Sequence, residues 1–150
     1  MKNKVFTFKA LLDKEIYRVI EIKGNKSLYD FAAIILKSFD FDMDHAFGFF
    51  NNLKNIYKSD EVYELFSDEL RSEFKQDSKG VNGVIVADVF ELKKKMAFLF
   101  DYGDEWIFLV ECKKISEALP KTKYPRIIDK VGDAPEQYPD YDEYFEDEDV

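Results

Sequence analysis

The chain has one cysteine, Cys112, and one histidine, His45, in 150 residues. A single thiol excludes an intramolecular disulfide and any zinc site built from several cysteines, and it fits a reducing compartment, so a cytoplasmic location is expected. Cys112 falls in the apolar alternation Trp106, Phe108, Val110, Cys112, which reads as a small buried hydrophobe rather than a nucleophile. Arginine is scarce as well, with Arg18, Arg71 and Arg126 against 19 lysines. The N-terminal Met1-Lys2-Asn3-Lys4 leads straight into an alternating pattern without an apolar stretch, so neither a signal peptide nor a membrane span is expected. A glycine-rich phosphate loop, a nucleophile elbow and a paired-histidine metal helix are all missing, and no cofactor is called for.

What the chain does have is aromatic bulk. Its 15 Phe, 9 Tyr and single Trp predict a ring-rich core, and 150 residues suffice for one domain that needs no metal or disulfide to be stable. Charge is divided unevenly. Of 31 acids, nine lie in residues 131–150 with no base among them, so residues 1–130 balance 22 acids against 22 bases. A neutral body lacks the basic surplus of a phosphate-binding surface, which makes nucleic acid an unlikely partner. The final stretch interleaves Tyr138, Tyr141, Tyr144 and Phe145 with acids. Such a segment repels itself and tends to stay solvated, unless its aromatics anchor it across its own body or on a basic protein partner.

Alternation over Val5–Leu12 and Ile16–Ile22 about Asp13-Lys14 predicts an N-terminal β-hairpin. Ser27 with Asp30 three residues on makes an N-cap, and Leu28, Phe31, Ala32, Ile35, Leu36 and Phe39 follow a helical stripe. A third strand is expected over His45–Phe50. Residues 53–83 read as a surface insertion, mostly helical, from the loose period of Val62, Leu65, Phe66, Leu70 and Phe74. The apolar run Met96–Phe100, a turn at Asp101–Asp104 and a return over Trp106–Lys113 give a late hairpin. Beyond Ile115 the pattern loses period, all four prolines fall there, and extended chain without regular elements is expected. The order predicts an α+β body at 1–132, a mixed sheet with one long helix across it, related to a β-grasp or ubiquitin-like roll, followed by an acidic aromatic tail at 133–150.

Tyr17-Arg18, Leu28-Tyr29-Asp30-Phe31, Phe39-Asp40-Phe41, Asp44-His45, Phe50, Asp101-Tyr102-Gly103-Asp104-Glu105-Trp106 and Tyr124-Pro125-Arg126 together resemble the plasmid pRiA4b ORF-3-like family. The similarity runs from about residue 5 to about residue 140, and the Asp-Tyr-Gly-Asp-x-Trp turn is its most specific element. The resemblance implies a fold and no settled activity; its members are often found on plasmids or mobile elements. Where relatives commonly carry cysteines after the Tyr-Pro pair and near a Pro-Pro-Glu-Asp segment, this chain has Ile127 and Ala134-Pro135-Glu136-Gln137-Tyr138. A cysteine-based metal site of relatives therefore does not carry over.

The candidate binding surface is Asp101, Tyr102, Asp104 and Trp106, with Tyr124, Arg126 and His45 expected nearby. In the turn, Asp101 is expected to cap, Gly103 to take a positive φ, Trp106 to pack on the core, and Arg126 to reach Asp101 or Asp104. The first functional reading is a non-enzymatic binding or adaptor domain. A second is a metal-dependent hydrolase using His45, Asp44, Asp101 and Asp104, which requires those four side chains to converge. A third, an accessory nucleic-acid factor of a mobile element, rests on family context and runs against the charge. Asp40-x-Asp42-x-Asp44 opens like a calcium loop but fails it, because His45 stands at the glycine position and Asn51 at that of the bidentate Glu.

Overall fold

A computed structural model describes residues 1–65 and 78–138. The hairpin forms as its pattern requires: β1 (Val5–Asp13) pairs antiparallel with β2 (Ile16–Lys23), Phe8 opposite Ile20. Helix α1 (Leu28–Ser38) starts at Ser27, whose Oγ accepts the Asp30 N–H at 3.0 Å. It is followed by β3 (Phe47–Phe50), a 3₁₀ turn at Ile56–Lys58, β4 (Val62–Glu64), β5 (Ser78–Gly80), the four-residue helix α2 (Val86–Val89), β6 (Lys95–Phe100), β7 (Trp106–Ser116) and β8 (Arg126–Val131). Among the described residues the strands make one sheet in the order β5-β4-β3-β6-β7-β1-β2-β8, antiparallel except for the β4–β5 pair.

Three expectations are corrected. Among the described residues the body is mostly one large eight-stranded mixed sheet, neither the expected α+β body nor a β-grasp roll with a long helix, because α1 has only 11 residues and α2 four. Where it is described, the expected mostly helical insertion holds two short strands and a single 3₁₀ turn: Val62 and Glu64 face one side of the sheet and Tyr63 the other, with Tyr63 opposite Phe49. Period two prevails there over a loose helical match, since a cross-strand partner buries each residue. The rest of that expectation, and the acidic tail from 139 onward, lie outside the described residues. Finally, the proline-rich segment is not free of regular structure, because Arg126–Val131 pairs with β2 as an edge strand.

Helix α1 covers one face of the sheet. Phe31 lies 4.3 Å from Phe8 and 5.6 Å from Phe49 by ring centroids, inside a continuous core that includes Phe6, Ile20, Ile35, Phe98, Phe108 and Cys112. Each such ring contributes roughly 2–3 kcal/mol by burial, so no other staple is needed. Cys112 is fully buried, and burial pushes its thiol up to about 11, in keeping with a packing role. On the opposite face Phe50, Ile56, Ala97 and Leu99 make a smaller cluster beside Val62 and Tyr102. No helix of the described residues is long and apolar enough to cross a membrane.

Arg18 ties these parts together. Only 3% exposed, it donates from Nε to Ser38 O at 2.7 Å, and from Nη1 to the carbonyls of Tyr17, Val131 and Gly132 at 2.9, 3.0 and 3.0 Å. Its guanidinium sits 4.6 Å over the Phe39 ring. The cation thus meets the negative end of α1 and fixes where the chain leaves β8. There Gly132 has φ +78°, and a Cβ on it would stand 2.2 Å from the Glu15 carbonyl oxygen. Glycine is required at this bend, which sends residues 133–138 back toward the exit of α1.

Candidate functional site

The β6–β7 connection is a five-residue turn. Glu105 N–H donates to Asp101 O at 2.6 Å, and Asp101 Oδ1 accepts the N–H groups of Gly103 and Asp104 at 3.0 and 3.2 Å. The Asp cap forms as expected, but the left-handed residues are Asp101 (φ +65°) and Glu105 (φ +53°) rather than Gly103. Asp tolerates that region because its short side chain bonds the local backbone; a Cβ at Gly103 would meet nothing nearer than Asp101 Oδ1 at 3.3 Å. Asp101 is buried, and its N–H donates to Ala46 O at 2.9 Å, which couples the turn to the loop between α1 and β3.

That loop begins where α1 stops. Phe39 and Asp40 bond back to Leu36 and Lys37, and Asp40 adopts φ +59°. Phe41 then packs into the core edge-on to Trp106, ring centroids 4.9 Å apart, which leaves Asp42, Asp44 and His45 exposed beside the turn. His45 Nε2 is 3.5 Å from Asp101 Oδ2 and 3.8 Å from Asp44 Oδ1, and its ring stands edge-on to Phe100.

Residues 137 and 138 close over this surface. Gln137 reads the Asp42 main chain with both ends of its amide: Oε1 accepts the Asp42 N–H at 2.6 Å, and Nε2 donates to Asp42 O at 3.0 Å and to Asp44 Oδ1 at 3.2 Å. Tyr138 donates its hydroxyl proton to Asp44 Oδ2 at 2.7 Å. With that proton committed, the phenol oxygen accepts from His45 Nε2 at 2.7 Å. The Tyr138 bond is the main reason Asp44 lies below the ordinary carboxylate range, and the same bond pushes Tyr138 up to about 12.

Tyr102 and Trp106 point elsewhere. The Tyr102 hydroxyl donates to Glu64 Oε2, and Glu64 is fully buried beside Gly48, where any Cβ would meet Glu64 Cγ and Tyr102 Oη at 2.9 Å. Burial first, and then Glu64, raises Tyr102 far above a normal phenol. At the rim, Tyr57 donates to Glu105 Oε2 at 3.0 Å. Trp106 packs on the core as expected, with its indole nitrogen buried and without a hydrogen-bond partner among the described residues. Asp104 is exposed on the turn.

Tyr124 and Arg126 are not part of this surface. Arg126 Nε pairs with Glu21 Oε1 at 2.5 Å and stacks 5.7 Å from the Tyr124 ring, whose hydroxyl accepts the Leu119 N–H at 3.1 Å. In the sheet β8 lies three strands beyond β7, and Arg126 sits at the end opposite Trp106, near Glu21 and not near Tyr17. The expected Arg126 pairing with Asp101 or Asp104 is therefore replaced by a local cross-strand pair. The convergence needed for a metal centre is also incomplete: among the described residues, no group of three or more His, Cys, Asp or Glu is placed to hold a metal ion. The contributors hidden from sequence are Asp42, through its main chain, and Gln137; the one signal was an aromatic-acidic segment just past the last strand.

With the geometry in hand, known proteins give a consistent picture. The sequence model of the family described as plasmid pRiA4b ORF-3-like protein matches residues 5–146. The crystal structure of a protein of unknown function from Methanosarcina mazei Go1 superposes with a TM-score of 0.74 at 21% identity, over 97% of this chain and 82% of that one. At such identity the likeness speaks for the fold alone. No curated protein matches this chain.

Proposed function

This chain belongs to the plasmid pRiA4b ORF-3-like protein family, and from that footing we propose that it acts as a non-enzymatic binding or adaptor domain for a protein partner, with its recognition surface at the α1 exit and the β6–β7 turn. One observation carries the reading: polar groups from three distant segments, Asp44-His45, Asp101–Asp104 and Gln137-Tyr138, gather at one exposed end of the sheet on a tightly bonded backbone. Left-handed conformations at Asp40 and Asp101 are the kind of local cost that a presented surface explains. The acids Asp42, Asp44, Asp101 and Asp104 favour a basic partner, whose approach their field would speed.

Selection of a displayed random-peptide library against the wild type and against a His45→Ala/Asp104→Ala variant tests this. Enriched peptides should bind the wild type in solution and lose about tenfold or more with the variant, the effect of removing one or two good polar contacts. No enrichment, or binding indifferent to both substitutions, would refute the reading.

A further inference from the structure

The bonds made by Gln137 and Tyr138 are those of a recognition event rather than of core packing. Both side chains lie 93 to 95 residues from their partners, and Tyr138 is half exposed, so little apolar burial holds it in place. The amide engages a main-chain N–H and C=O together, as a paired strand would, and on the surface the phenol donates to Asp44 and accepts from His45, with a further bond from Gln137 itself. What surrounds the docked pair is mismatched in charge. The surface carries Asp42, Asp44, Asp101 and Asp104, the chain that leads to the docked pair carries Asp133 and Glu136 and no base, and the charges of Asp101 and Asp104 act on Tyr138. The shape suits the amide–tyrosine step; the flanks suit a segment of opposite sign.

Resting on the binding reading above, we propose that the Asp42–His45 surface is a receptor for a basic protein segment containing a glutamine–tyrosine step, and that Gln137-Tyr138 fills it in cis until such a segment displaces them. Gly132 and Arg18 position the internal segment for this, since they fix the bend at which it leaves β8. A tethered ligand competes at an effective concentration of order millimolar, so the site is masked against weak ligands and open to matched ones.

The experiment uses the full chain and two fluorescein-labelled peptides read by fluorescence polarisation: Gly-Asp-Ala-Pro-Glu-Gln-Tyr-Pro, as in residues 132–139, and Gly-Lys-Ala-Pro-Lys-Gln-Tyr-Pro. A Gln137→Ala/Tyr138→Ala variant should bind the basic peptide about tenfold or more tightly than the wild type does, because the internal competitor is gone. The acidic peptide should bind more weakly than the basic one, raised salt should narrow that gap, and adding His45→Ala should abolish the gain. Should the double variant fold poorly, Tyr138→Phe keeps the ring and should give a smaller gain of the same sign. The proposal is overturned if the folded variants bind the basic peptide no better than the wild type, or if replacing Gln or Tyr in the peptide leaves affinity unchanged. Its failure differs from failure of the binding reading, because library peptides that need His45 but lack the Gln-Tyr step would remove the first and leave the second.

Discussion

Replacing Arg18 should loosen both the body and the candidate site, and the size of the effect follows from its four carbonyl partners. In Arg18→Met the carbonyls of Ser38, Val131 and Gly132 lose a charged donor, while Tyr17 O keeps its place between strands. Charge-assisted bonds contribute about 1.5–3 kcal/mol each, offset by release of a buried cation that makes no ion pair among the described residues, so a net loss of about 3–4 kcal/mol is expected. For a chain of this size that corresponds to a fall in Tm of about 10 °C. Arg18→Lys separates charge from shape. An ammonium still faces the end of α1, but it cannot reach Ser38 on one side and Gly132 on the other as the planar fork does, so about 2 kcal/mol should be lost. Urea unfolding followed by circular dichroism measures both, provided the slope stays constant. If Arg18→Met falls within about 1 kcal/mol of wild type, or if Lys restores full stability, the account of Arg18 as a directional tie is wrong.

Three further outcomes follow. Gly132→Ala forces a Cβ toward Glu15 O at a residue with φ +78°, so it should cost more than about 2 kcal/mol and weaken protection of residues 133–138 in hydrogen exchange; a neutral result would mean the bend is not fixed. Tyr102→Phe removes the donor to a fully buried Glu64 whose other oxygen has no partner among the described residues, and should cost about 1–3 kcal/mol in urea, with most of it recovered when Glu64→Leu is added; a larger loss in the double variant would contradict this. The Tyr138–Asp44 contact should depend on pH at both extremes. Asp44 is held below its usual 3.8, so its contribution is present above that value and fades as pH falls through the lowered one, whereas Tyr138, raised from 10.0 to about 12, contributes below 10 and loses its contact as pH rises through 12. Tyr138 ring resonances by NMR should move as pH passes below and above these limits; no movement at either extreme would refute the assignment.

Local chemistry was legible where one short window carries both cause and effect. The first hairpin, the Ser27 cap and the Asp101 turn each place partner and side chain within a few residues, and each forms. Positions set by strand order were not. Tyr124-Pro125-Arg126 is expected beside the 101–106 turn, yet the two strands between β7 and β8 and the Glu21 pairing carry it to the other end of the sheet. Strand β8 is an edge strand that buries little, so Arg126–Val131 shows no clean alternation in the sequence. Likewise β4 fitted a loose helical period, since three residues are too few to separate two from 3.6. The site followed the same division. His45 and Asp101 are more than a third of the chain apart but attach to neighbouring ends of β3 and β6, so pairing those strands delivers them together. Gln137 could not be foreseen that way, because its target is the main chain of Asp42, whose identity as a residue is irrelevant to the bond. A side chain that reads backbone shape leaves no signature in the sequence of its target, and that is why the Gln137 contact is seen only once Gly132 and Arg18 have turned the chain back upon the loop.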